Sequence, residues 1–183
     1  YKSFTTKDIA SLFWKGLEYL KINQLFAVIG GSLGGAIAWE MAFIKPNAIQ
    51  NLIPVASNWK ANDWLIGNVL VQDAILNNSK NPIHDARLHA MLLYRTPQSL
   101  TAKFNSERND NQNSYKVESW LLHHGEKLTD RFELSAYKLM NHLLKTIGEN
   151  TTENDLQEFA KISTTKIHQI AINSDYFFAP NEN

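Results

Sequence analysis

The sequence predicts an α/β fold, a parallel sheet covered by helices, and three observations predict it. Apolar runs of strand length alternate with segments of helical length. The runs at Leu25–Ile29 and Leu52–Ala56 are continuous rather than alternating, as strands buried on both faces require. The first of them ends in glycines and passes within a few residues into Ala36–Ala42, which reads as helix.

The elements follow in order. Tyr1–Thr6 reads as extended or turn-like, and Thr5 with Asp8 has the spacing of a capping box. A helix is expected from about Asp8 to Leu20, with Leu12, Phe13, Leu17 and Leu20 as its buried stripe. The strand from Leu25 and a helix to about Ile44 come next, with Pro46 beyond its end. Asn51–Ser57 reads as a second buried strand, weakened by Pro54, which cannot donate in a central ladder. Helices are expected at Asn62–Asn78, His84–Tyr94 and Pro97–Glu107, then a solvated loop over residues 108–113. Further helices read at Val117–Leu128, Leu134–Thr146 and from a cap at Thr151 or Thr152 to Lys161. Lys166–Ile172 reads as a strand returning to the sheet, with Asn173-Ser174-Asp175 as the loop leaving it. The domain reading is therefore a core segment over residues 1–96, a helical block over 97–150, and a return to the core over 151–183.

Composition narrows the function classes. With 18 basic and 18 acidic residues among 183, there is no net field to attract nucleic acid or an anionic membrane. Without cysteine, disulfides and thiol chemistry are excluded, and a reducing cytosol is permitted. The apolar runs fall well short of a membrane span. Tyr1 is not an initiator methionine, which points to a longer protein.

The chemistry concentrates at Gly30-Gly31-Ser32-Leu33-Gly34-Gly35. G-x-S-x-G between a strand and a helix is the nucleophile elbow, a tight turn that lifts the serine hydroxyl above the sheet edge. A chance serine in a glycine-rich turn is the bland alternative. Phosphate readings fail, because no lysine stands near Ser32 and the dinucleotide fingerprint is not spelled by these glycines. Metal readings fail too. His84 and His89 do not share a helix face, and His123 and His124 point different ways.

Taken together, the motifs resemble the homoserine O-acetyltransferase family, an acyltransferase branch of the α/β-hydrolase fold. Ala27–Gly35 is similar to the family's elbow, with Leu33 in place of the usual methionine. Ala86-Arg87 with Leu92–Arg95, Val117–Leu121 with Gly125-Glu126-Lys127 and Arg131-Phe132, Ser135–Tyr137, and Asn173–Pro180 resemble later family segments in the same order. Two departures stand out. The stretch between Asn78 and Arg87 is shorter than usual, and Gln72 stands where an arginine is common.

The resemblance implies an α/β-hydrolase core with an inserted helical cap, incomplete at both ends. It implies Ser32 as the nucleophile, Asp175 as the carboxylate that orients the base, and the backbone N–H of Leu33 in the oxyanion hole. Arg87 would pair with the carboxylate of an amino acid, assisted by Tyr94 two turns further on. A turn aspartate, a solvated helix arginine and a packed core tyrosine are the plain alternatives. The triad histidine must follow Asp175, and none of His84, His89, His123, His124, His142 or His168 does. The expectation is an internal segment of a longer enzyme, inactive alone. The implied reaction is acetyl transfer from acetyl-CoA, a co-substrate, to the hydroxyl of homoserine, for methionine synthesis and without a bound cofactor or metal. A cytoplasmic homodimer joined through cap helices is also implied. A succinyl donor, a serine esterase of the same fold, and a homologue that only binds a partner are the competing readings.

Overall fold

The computed structural model describes residues 4–110 and 113–180. Tyr1–Ser3 of the expected leading segment, and Asn111 and Gln112 of the expected loop, lie outside the described residues. The elements run in the order α1 (Thr6–Tyr19), β1 (Leu25–Gly31), α2 (Leu33–Ile44), β2 (Ile49–Val55), α3 (Asp63–Asn78), α4 (Pro82–Leu93), α5 (Pro97–Phe104), α6 (Lys116–Thr129), α7 (Leu134–Lys145), α8 (Glu153–Ile162) and β3 (Lys166–Ile167). They fall into two compact units. The first comprises the described residues through Ile66, His142–Asn173 and those from Phe178, and the second Gly67–Asn141 with Ser174–Phe177.

In the first unit, β1, β2 and β3 form a parallel sheet in that order. The register pairs Leu25 with Ile49 and Gly31 with Val55. β2 is thus the central strand of the three, although it contains Pro54. Its carbonyl accepts from the Ile170 N–H at 2.9 Å. A residue's N–H and C=O point to the same side of a strand, so the donor that proline lacks would face β3. The β1 side keeps its full ladder. The ladder toward β3 is regular only through the Leu52–Ile167 pair. Beyond it the chain runs on beside β2 through an isolated bridge from Val55 to Ile170. The expected strand over 166–172 is accordingly two residues long, with a looser continuation.

α1 begins with the expected capping box: Thr5 Oγ1 accepts from the Asp8 N–H, and Asp8 accepts from the Thr5 N–H at 2.8 Å. Its buried stripe is not the expected one. Leu12, Phe13 and Leu20 are exposed, while Thr6, Ala10 and Trp14 are buried and Leu17 is partly buried. Positions 10, 14 and 17 also keep helical spacing, but on another face. Trp14 decides between the faces, because its indole N–H donates to the Met41 carbonyl at 2.9 Å and so ties α1 to α2. Ala38 and Ala42 let α2 approach closely. Trp39, Phe43, Trp59 and Phe159 close the core with edge and stacked ring contacts, Phe43 to Phe159 at 5.2 Å between centroids.

The second unit is helical. α4 packs on α6 where Gly125 faces the His84 ring, and a methyl group there would lie 2.4 Å from the imidazole. That close packing groups residues 67–96, expected with the core segment, with α5, α6 and most of α7. Phe104 and Trp120 join α5 to α6, 5.5 Å between centroids, with the Lys103 ammonium 5.0 Å from the Trp120 ring.

Candidate active site

Ser32 sits between β1 and α2 with φ 53° and ψ −125°, in the left-handed region that side chains avoid. Its N–H donates to the Val55 carbonyl at 2.9 Å, which holds the turn against the end of β2. Gly30 and Gly35 make the turn sterically possible. A Cβ at Gly30 would fall 2.1 Å from the Gly34 carbonyl oxygen, and one at Gly35 2.5 Å from Ser57 Cβ. Gly31 and Gly34 have open space around them. The Ser32 side chain is exposed and makes no cap hydrogen bond. The N–H groups of Leu33 and Gly34 open α2, where helix geometry leaves the first donors without intrahelical acceptors. An exposed hydroxyl next to the first amides of a helix, at the carboxyl end of parallel strands, suits nucleophilic attack with oxyanion stabilisation.

The second unit brings Arg87, Tyr94 and Asp175 together. Arg87 lies on α4, and its guanidinium stands 5.6 Å from the ring centre of Tyr94, the C-cap residue of that helix. Desolvation around the phenol raises the Tyr94 pKa. The Arg87 charge opposes this, and the Asp175 charge adds to it. Phe177 packs edge-on against Tyr94 at 6.2 Å, and the Tyr176 N–H donates to the Leu93 carbonyl at 3.2 Å. Both contacts hold the 174–177 segment to the end of α4. Within it Asp175 accepts from the Phe177 N–H at 2.7 Å, an Asx turn that fixes the carboxylate. Among the described residues Arg87 has no carboxylate within ion-pair distance. A half-buried guanidinium without an acidic partner suits a carboxylate brought by a ligand.

Two further residues share this neighbourhood. Tyr137 on α7 has its pKa pushed up to about 12, chiefly by desolvation, then by Tyr94, with Arg87 opposing. Its hydroxyl donates to Gln72 Oε1 at 3.1 Å. Neither residue carries a sequence signal of its own. Tyr137 lies inside a matched segment, and Gln72 is conspicuous only as a departure from it. The histidines sit as packed or surface groups: His84 beside Asp85 at 2.8 Å, and His124 edge-on to Trp120 at 4.6 Å. Burial lowers the pKa of His89.

An elbow serine on a parallel sheet, with a helical unit formed by the residues that follow β2, defines a class. Residues 1–151 match the alpha/beta hydrolase fold family, and the chain belongs to it. Within that class the chain aligns along its whole length with homoserine O-acetyltransferases. It is 29% identical over 202 residues to the one from Nostoc punctiforme, covering 100% of this chain and 56% of that protein. It is 30% identical over 196 residues to the one from Chloroherpeton thalassium, covering 100% and 52%. The chain therefore spans about half the length of the curated relatives it matches. The fold is shared with the crystal structure of homoserine O-acetyltransferase from Staphylococcus aureus (TM-score 0.82, 22% identity, 99% of this chain and 53% of that one). It is shared equally with esterase E22 (TM-score 0.82, 16% identity, 99% and 55%). Among the described residues no helix is long and apolar enough to cross a membrane.

Proposed function

We propose that this chain is the nucleophile-bearing part of an acyltransferase that moves an acetyl group from acetyl-CoA to the hydroxyl of L-homoserine, a step toward methionine. The single observation that carries the reading is the elbow serine at φ 53°, framed by two glycines that admit no side chain. Ser32 Oγ attacks the thioester carbonyl while its proton passes to an imidazole, and the thiol of coenzyme A leaves with that proton. The homoserine hydroxyl then attacks the acyl-serine and gives its proton to the same imidazole, which passes it to the departing Ser32 Oγ as the ester is released. The Leu33 N–H faces the oxyanion in both steps. Asp175 orients the imidazole. Arg87 holds the homoserine carboxylate and Tyr94 assists. The alignment with homoserine O-acetyltransferases supports the choice of donor and acceptor. The same reading takes the enzyme as a cytoplasmic homodimer joined through its cap helices, with no bound cofactor.

The test is a full-length assay with acetyl-CoA and succinyl-CoA, with homoserine and with water as acceptors, beside Ser32→Ala. Acetyl transfer exceeding hydrolysis and succinyl transfer is expected. The variant should lose more than about a thousandfold in kcat/KM. A variant that keeps its rate removes Ser32 from the chemistry, and hydrolysis exceeding transfer makes the enzyme an esterase.

A further inference from the structure

Gln72, the departure noted in the sequence, sits at the centre of a fully determined hydrogen-bond set. It is buried, 3% exposed, inside the second unit. Its Nε2 faces the Ala86 carbonyl at 3.0 Å and His89 Nδ1 at 2.8 Å. A backbone carbonyl only accepts, so the amide nitrogen must be the atom that faces it, and the amide orientation is fixed. Both amide hydrogens are then committed, one to Ala86 and one to His89 Nδ1. That ring nitrogen is therefore the unprotonated one. Oε1 remains, and it faces the Tyr137 hydroxyl at 3.1 Å. Being a carbonyl oxygen, it can only accept. The single phenolic proton of Tyr137 is thus spent on Gln72, and the lone pairs of the Tyr137 oxygen are left as acceptors.

Arg87, in the same unit, has the opposite polarity. Arg87 offers N–H donors with no carboxylate partner among the described residues. Its charge acts on Tyr94 and Tyr137 alike. An arginine in place of Gln72 would have presented donors to Tyr137 and freed its proton to point elsewhere. With glutamine the Tyr137 oxygen contributes an acceptor for a cation, besides the Asp175 carboxylate, to a neighbourhood in which Arg87 offers donors to an anion.

We infer that Tyr137 accepts a hydrogen bond from the ammonium of an α-amino-acid acceptor whose carboxylate lies on Arg87, and that Gln72 is the positioning residue that fixes the Tyr137 hydroxyl as an acceptor. The inference rests on the amino-acid acceptor of the proposed function. It adds the recognition of the amino group, and with it a preference for homoserine over 4-hydroxybutyrate, which lacks that group.

The experiment uses the full-length enzyme with homoserine and 4-hydroxybutyrate as competing acceptors, and measures acyl-enzyme formation from acetyl-CoA separately. Tyr137→Phe keeps the ring and removes the acceptor, and Gln72→Met keeps the volume and releases the hydroxyl. Each should lower kcat/KM for homoserine by about tenfold to a hundredfold, mostly through KM. Transfer to 4-hydroxybutyrate and the acylation step should stay as in the wild type. A residue that merely holds the fold would depress both acceptors and the acylation together. Should Gln72→Met fail to fold, Tyr137→Phe decides. An undiminished preference for homoserine in Tyr137→Phe overturns the proposal, as does a folded Gln72→Met that keeps it. A wild-type enzyme that transfers nothing to homoserine overturns the underlying reading, and this inference with it.

Discussion

Two alanine substitutions four residues apart test whether the elbow is built as described. Gly30→Ala places a methyl carbon 2.1 Å from the Gly34 oxygen and 2.6 Å from the Gly35 nitrogen. Ordinary contact distances are about 3.5 Å or more, so β1 and the first turn of α2 must separate by more than about 1 Å. Both partners are backbone, and no side chain can swing aside. Overpacking of this kind costs about 1–3 kcal/mol, and more where nothing yields. Gly34→Ala meets open space. In a helix it gains up to about 1 kcal/mol. The two variants should therefore differ by about 3 kcal/mol, roughly 6–12 °C in Tm for a chain of this size. Chemical denaturation followed by circular dichroism measures the difference. Stabilities within about 0.5 kcal/mol of each other would refute the close approach of Gly30 to the start of α2.

Trp14→Phe removes the bond to the Met41 carbonyl and some core volume, and should cost about 1–2 kcal/mol. Met41 O keeps the Lys45 N–H at 3.2 Å, so no acceptor is stranded. Phe13→Ala, on the exposed face of the same helix, should cost less, and the reverse order in denaturation would restore the other stripe. Glu40 is 4% exposed, and its pKa is raised by burial, against the opposing effects of Lys7 and Thr6. A raised carboxyl pKa favours folding below the ordinary glutamate range and works against it as pH rises through the folded-state value. Glu40→Gln should therefore stabilise at pH 7–8, with the gain vanishing near pH 4, as thermal melts across that range would register. A gain independent of pH would remove burial of the charge as its cause. Arg87→Lys keeps a charge but loses the planar fork, so the KM for homoserine should rise at least about tenfold with acylation unchanged. An unchanged KM would take Arg87 out of acceptor binding.

The order and kind of the elements could be read from residues alone where local signals are strong. The Thr5–Asp8 box, the glycine elbow, Pro46 after α2 and the Thr152 cap each mark a boundary through a mechanism confined to a few residues. Local signals mislead where a distant partner decides. α1 offers apolar residues on two faces, and the indole bond to Met41 across 27 residues selects one. Pro54 argues against a central strand by residue type, yet its missing donor faces the side where the ladder is ending. In the site, the elbow serine was visible because its chemistry dictates neighbouring glycines. Gln72 and Tyr137 were not, because their roles arise from a hydrogen bond between residues 65 apart.

The backbone at Ser32 holds a conformation that costs of the order of 1–3 kcal/mol in any residue with a side chain. Nearly any change that lets this turn relax would make the protein sturdier and its hydroxyl worse aimed. Under the proposed reaction, durability and reactivity are thus set against each other at a single α-carbon. A search for hardier variants, if run without an activity screen, would be drawn toward this turn first.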